Sequence, residues 1–215
     1  MNPVTLTKDE MFDAITVERH RLADVLDGLE SAQWDTPSLC GGWSVRDVLG
    51  HLLSILEVPV WKFLVGSVRR RSFDRYADEV ACQLAASAGP GELVARFRAR
   101  AATRFAPPVV GPIAPLVDIC VHAHDIGWPL GAPVALDAAT LGVALDFCCG
   151  SGRGFVPRSR TAGLRFQATD LDWSSGEGVL VEGPADALLL AVTDRPAALA
   201  KLSGPGAAIL AERLG

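Results

Sequence analysis

No surplus of positive charge marks this chain. Its 20 lysines and arginines are outnumbered by 25 acidic residues, leaving a net charge of −5. A nucleic-acid binder must neutralise phosphates, so this balance argues against that class. The one basic run, Arg69-Arg70-Arg71, reads as a solvated loop or a helix end. No apolar run is long enough to span a bilayer, and the opening MNPVTLTKDEMFDAI is polar where a signal peptide would be apolar. The five cysteines (40, 82, 120, 148 and 149) lack the spacing of a zinc ribbon or a disulfide framework, and the adjacent Cys148 and Cys149 are expected to be small buried thiols. A cytosolic, reduced protein is the expectation. Histidine is scarce, with four in all. The 215 residues, nearly half of them hydrophobic, suffice for one large domain or a main domain with a small appendage.

The first part of the chain carries helical periodicity. Thr7 caps a helix expected over about 8–30, with Glu10 completing a capping box and Phe12, Ile15, Leu22, Leu26 and Leu29 on the apolar stripe. A loop follows over 34–42. Ser44 caps a second helix with the stripe Val45, Val48, Leu49, Leu52, Ile55 and Leu56, which Pro59 kinks or ends. A third helix is expected over about 90–104, broken by Pro107 and Pro108. Pro112 or Pro115 opens a fourth, running through Asp118 and His122 to about Trp128, and Leu136 to Cys149 suits a further one. From about residue 160 the pattern changes. LRFQATD alternates as a strand, GVLVEG follows a Gly-rich turn as a second, and ADALLLAVTD and GPGAAILAERL are helical. The expected fold is α+β and mainly α: a helical bundle over 1–158 followed by a small α/β appendage over 159–215.

Three residues carry the chemical interest. Asp118 and His122 are four apart within PLVDICVHAHDIG, so a helix presents both on one face. His51, in WSVRDVLGHLL, lies beside the apolar stripe of the second helix. Two histidines and a carboxylate fill three positions of a tetrahedral Zn²⁺-like ion and leave the fourth for water or a thiol, the mark of a catalytic site. Helical bundles hold metals by aiming such side chains inward from facing helices. Taken singly, each histidine also reads as an ordinary core or surface imidazole, and a D-x-x-x-H pair occurs by chance.

WSVRDVLGHL, then DICVHAHDIGWPLG, then LRFQATDLDWSSGEG and VEGPADALLLAVTDRPAALAKLSGPGA, resemble the mycothiol-dependent maleylpyruvate isomerase family of the DinB-like metal-binding four-helix proteins. The resemblance runs over nearly the whole chain. It implies an actinobacterial source, a DinB-like bundle, a divalent metal usually written as zinc, and mycothiol as cosubstrate. It makes His51 the ligand in W-x-V-x-D-x-x-x-H and His122 the ligand in V-H-x-x-D. Glu is more usual than Asp at the position of Asp118, and Asp is one methylene shorter. The implied activity is thiol transfer to a small electrophile, or its thiol-assisted cis–trans isomerisation. Ni²⁺, Fe²⁺ and Mn²⁺ remain open beside Zn²⁺, and the partners are small molecules, with the chain a monomer or homodimer.

The remaining polar residues near these motifs read in two ways each. Asp125, at i+3 from His122, can orient that imidazole from behind or simply belong to the helix. Asp47, at i−4 from His51, can do the same or serve the helix N-terminus. His124 points about 200° round the helix from His122, so a structural or surface role is expected. Cys120 is expected to be a packed thiol. By the resemblance Arg195 is a catalytic residue able to clamp an anionic conjugate or substrate carboxylate; otherwise it satisfies carbonyls at a helix end. Asp194 stands where the family more often has Gly. These departures at 118 and 194 keep open a second class, a non-catalytic metal- or ligand-binding sensor.

Overall fold

Thr7 and Glu10 form the expected reciprocal cap. The Thr7 amide donates to the Glu10 carboxylate over 2.7 Å, and the Glu10 amide donates back to the Thr7 hydroxyl over 3.3 Å. The helix they open, α1, spans Lys8–Asp27 and buries Phe12, Ile15, Leu22, Ala23 and Leu26. The computed structural model describes residues 5–107, 109–132, 134–150 and 155–214. Pro108, expected to help end the third helix, and the first four residues lie outside the described residues.

The chain divides into two compact units. One comprises Ile15–Phe105 and Asp125–Val134; the other comprises Met1–Ala14, Ala106–His124 and Ala135–Gly215.

Helices dominate the first unit. Ser44 and Asp47 make a second capping box, from which α2 runs over Val45–Glu57 and buries Val45, Val48, Leu49, Leu52 and Leu53. Pro59 ends it by turning the chain through 118° into α3, Val60–Arg70. Arg71 then closes α3 in a left-handed conformation (φ 54°), so the arginine run is a helix end. Helix α4 follows over Phe73–Ala86, packing on both α2 and α3. Helix α2 comes close to α4 at Gly50, where a Cβ would lie 2.2 Å from the Ala81 carbonyl oxygen. Helix α5, Pro90–Ala99, is five residues shorter than the 90–104 expected, because the backbone leaves helical geometry at Arg100 (φ −105°, ψ 6°). The Arg19 guanidinium secures the following segment, donating to the carbonyls of Ala101 and Thr103 over 3.0 Å each.

The second unit holds the sheet. Asp137 caps α7, Ala138–Cys149, whose inner residues Thr140 to Leu145 are all buried. A short turn of helix, α8 (Arg158–Thr161), leads into β1, Leu164–Ala168. The second expected strand is β3, Val179–Gly183, and it pairs with β1 in parallel, Leu164 opposite Val179 and Ala168 opposite Gly183. The Gly-rich connection supplies a further two-residue strand, β2 (Ser174–Ser175), antiparallel on the other edge of β1. Helix α9, Ala185–Val192, is buried all round and forms the middle of this unit, as its unbroken apolar run requires. The Asp170 carboxylate accepts the Ala185 amide at its N-terminus over 2.8 Å. Helix α10, Gly206–Glu212, packs against β3. The fold is therefore α+β and mainly α, as expected. Among the described residues no single helix is long and apolar enough to cross a membrane.

Candidate metal centre

Helix α6, Ile113–Gly127, carries Asp118 and His122 one turn apart. The His122 Nε2 lies 3.5 Å from the Asp118 Oδ1. Ligands about 2.0–2.1 Å from a tetrahedral ion stand about 3.4 Å from each other, so this pair is spaced as two corners of such a polyhedron. His122 is buried (8% exposed) and Asp118 half-buried.

His51 lies on α2, two turns beyond the Ser44 cap. His51, Asp118 and His122 each offer a ligand atom within 4.8 Å of the other two. A donor set of two imidazoles and one carboxylate, gathered to this spacing and partly shielded from water, fits a Zn²⁺-like ion with an open fourth position.

Around His51 the local structure is heavily constrained. Asp47 is taken by the cap: its Oδ2 accepts the Ser44 amide over 3.0 Å and the Ser44 hydroxyl over 2.6 Å. Its position four residues before His51 thus serves the helix start. The loop before the cap closes through a Pro37–Ser44 bridge, and the Leu39 amide donates to the Asp125 carbonyl over 3.1 Å. Gly42 takes φ +83°, a left-handed turn suited to glycine, and delivers Trp43 beside the His51 ring. The two ring centroids are 5.1 Å apart with planes inclined at 37°. The Trp43 indole N–H donates to the Asp78 carboxylate on α4. Sequence reasoning used Trp43 as a motif letter and missed Asp78 altogether; no local pattern connects two residues 35 positions apart.

The other expected residues fall as follows. His124 is 3% exposed, so its role is in the interior and a surface place is excluded. Asp125 is fully buried and Cys120 is a packed thiol with no exposure. Burial raises the Cys148 thiol to about 12, and burial with Cys148 and Asp146 nearby lifts Cys149 well above the usual thiol range. Arg195 follows α9. Its amide donates to the Leu190 carbonyl over 2.9 Å while the Asp194 amide donates to Ala191 over 3.2 Å, the paired bonds of a Schellman helix end. The Arg195 guanidinium donates to the Thr193 carbonyl. Asp194 takes φ +76° at the left-handed position of this motif, which explains physically why glycine suits it. The Arg160 guanidinium, unnoticed in the sequence, donates to the Val192 carbonyl over 3.0 Å and pairs with Asp194 over 3.2 Å.

Comparison with known proteins adds an independent finding. Residues 15–108 match the family described as the mycothiol maleylpyruvate isomerase N-terminal domain. The resemblance seen in the sequence is thereby borne out. Among solved structures, the chain is similar to the mycothiol-dependent maleylpyruvate isomerase (TM-score 0.57) and to its mutant with one histidine changed to alanine (TM-score 0.59). Each match has 14% identity and covers 91% of this chain and 92% of the other. At that identity the likeness speaks for the fold. No curated protein sequence matches the chain.

Proposed function

We propose that this chain is a metal-dependent enzyme that uses a low-molecular-weight thiol, mycothiol by family, to isomerise or conjugate a small electrophile. The observation that carries the reading is the gathering of His51, Asp118 and His122 within 4.8 Å in a chain bearing this isomerase domain. The imidazoles would bind a divalent ion as neutral donors and Asp118 would offset one of its charges. When bound there, the metal supplies the positive charge that keeps a thiol deprotonated near neutral pH. Zinc is favoured by the ligand types.

The chain's own residues then set the geometry. Asp118 and His122, locked one turn apart on α6, fix two donors at a constant separation. Arg195 would clamp a carboxylate of the substrate, its backbone held by the Schellman turn. In the isomerisation the sulfur adds to one alkene carbon, the former double bond rotates, and expulsion of the same sulfur restores the alkene in trans geometry. No thiol is consumed. In the transfer variant the adduct is protonated or a leaving group departs, and the thiol is consumed. The test offers mycothiol with a cis-alkene dicarboxylate and a panel of alkylating electrophiles, to wild type and to His51→Ala. Metal-dependent conversion or thiol loss, absent in the variant, is expected. Equal activity in both proteins would refute the assignment.

A further inference from the structure

We infer that Trp43 and Asp78 act together as positioning residues for the His51 imidazole. The inference rests on the metal reading of His51 proposed above.

Trp43 is fixed at more points than a half-buried loop residue needs for packing alone. Its amide donates to the Cys40 carbonyl over 3.1 Å, and its carbonyl accepts the Ser38 amide over 2.9 Å. Gly42 before it holds a left-handed turn and Ser44 after it caps α2. The indole N–H is tied to Asp78, one helix away on α4. Backbone and side chain are thus anchored to different elements, and the product of that anchoring is an aromatic face 5.1 Å from the His51 ring.

An imidazole rotates over a broad, roughly two-fold torsion about its last side-chain bond. Which nitrogen faces a metal therefore depends on what restricts the ring. Metal-bound histidines are commonly oriented by a carboxylate or carbonyl bonded to the remote nitrogen. Here a fixed ring plane, inclined at 37°, narrows the torsion from the side, and Asp78 holds that plane by the indole N–H. Asp78 acts on His51 only through Trp43.

This connection makes a specific mutational signature. Trp43→Phe keeps an aromatic face and loses the N–H; Asp78→Ala loses the acceptor. Each single variant and the double variant should weaken Zn²⁺ binding by the same factor, roughly tenfold by analogy with other orienting contacts. Equal effects in single and double variants are the mark of one shared interaction. Affinity is measured by competition with a chromophoric chelator on the full chain. The visible spectrum of the Co²⁺-loaded protein reports ligand geometry, and its bands should shift in all three variants.

Unchanged Zn²⁺ affinity and Co²⁺ bands in Trp43→Phe and Asp78→Ala, with binding abolished by His51→Ala, would overturn the positioning role and leave the metal reading intact. Additive losses in the double variant would also overturn it. So would weaker binding that tracks a lowered urea midpoint of the metal-free protein while the Co²⁺ bands stay in place, since that is packing alone. If His51→Ala binds Zn²⁺ as the wild type does, the metal reading itself fails and this inference falls with it.

Discussion

The His122 Nε2 stands 3.5 Å from the Asp118 Oδ1, one turn away on the same helix. That separation matches two ligands of one tetrahedral ion. Asp118→Ala should cost the protein most of its bound metal while α6 stays folded, because Asp118 is half-buried and its loss opens no large cavity. Metal content by mass spectrometry beside far-ultraviolet circular dichroism checks both halves. Full metal occupancy in Asp118→Ala would remove the carboxylate from the ligand set.

Wild-type protein should hold about one ion per chain, and His51→Ala should hold almost none. Chelator treatment should abolish thiol chemistry in the wild type and readdition of Zn²⁺ should restore it. A wild type that carries no metal and takes up none would refute the metal centre outright.

Gly50 tests the support of the site. A Cβ there meets the Ala81 carbonyl oxygen at 2.2 Å and the Ala85 amide nitrogen at 2.9 Å, both backbone atoms that cannot swing aside. Gly50→Ala should destabilise the fold by about 3 kcal/mol through overpacking. In a chain of this size that is a fall in Tm of roughly 6–12 °C, readable by scanning calorimetry.

Acid should weaken the protein partly through Glu57. A hydrogen bond from Arg96, with Arg96 and Arg100 charges nearby, holds its carboxyl below the ordinary value of 4.5 despite partial burial. The folded state therefore binds the proton less readily than the unfolded chain. This stabilisation is complete above the unfolded value and is lost as pH falls through the lowered folded value. Urea midpoints between about pH 5 and 3 should drop more steeply in the wild type than in Glu57→Gln. Parallel curves would show that Glu57 has no part in the acid response.

At Asp194 the backbone is left-handed, and the side chain is a half-exposed partner of Arg160. Asp194→Gly should be tolerated, since relief of the backbone offsets an ion pair worth about 0–1 kcal/mol. Asp194→Val should cost about 2 kcal/mol, because a β-branched residue resists positive φ. Chemical denaturation of the two variants side by side decides the matter.

What could be read ahead of the structure was local. The Ser44 cap and the stripe from Val45 to Leu53 lie within a few turns of each other, and so do Asp118 and His122. Helices α3 and α4 escaped notice because their apolar residues do not mark one buried face. Val60, Trp61, Val65 and Val68 are exposed, while α4 buries the small Ala81 and Ala85. The parallel pairing of β1 with β3 depends on long-range placement of β2 on the opposite edge, which two short alternating segments do not encode. Asp78 was invisible for a related reason: it acts through an indole whose position in space is set by a loop and a neighbouring helix.

The burial of α7 has a consequence for the thiols of Cys148 and Cys149. Burial pushes the Cys148 thiol up to about 12 and lifts Cys149 well above the usual range, which favours the neutral thiol at both. Exchange with a disulfide begins from the thiolate, so burial withholds the reactive form at both positions. The two adjacent sulfurs of α7, the helix that packs against α9, therefore act as small apolar groups.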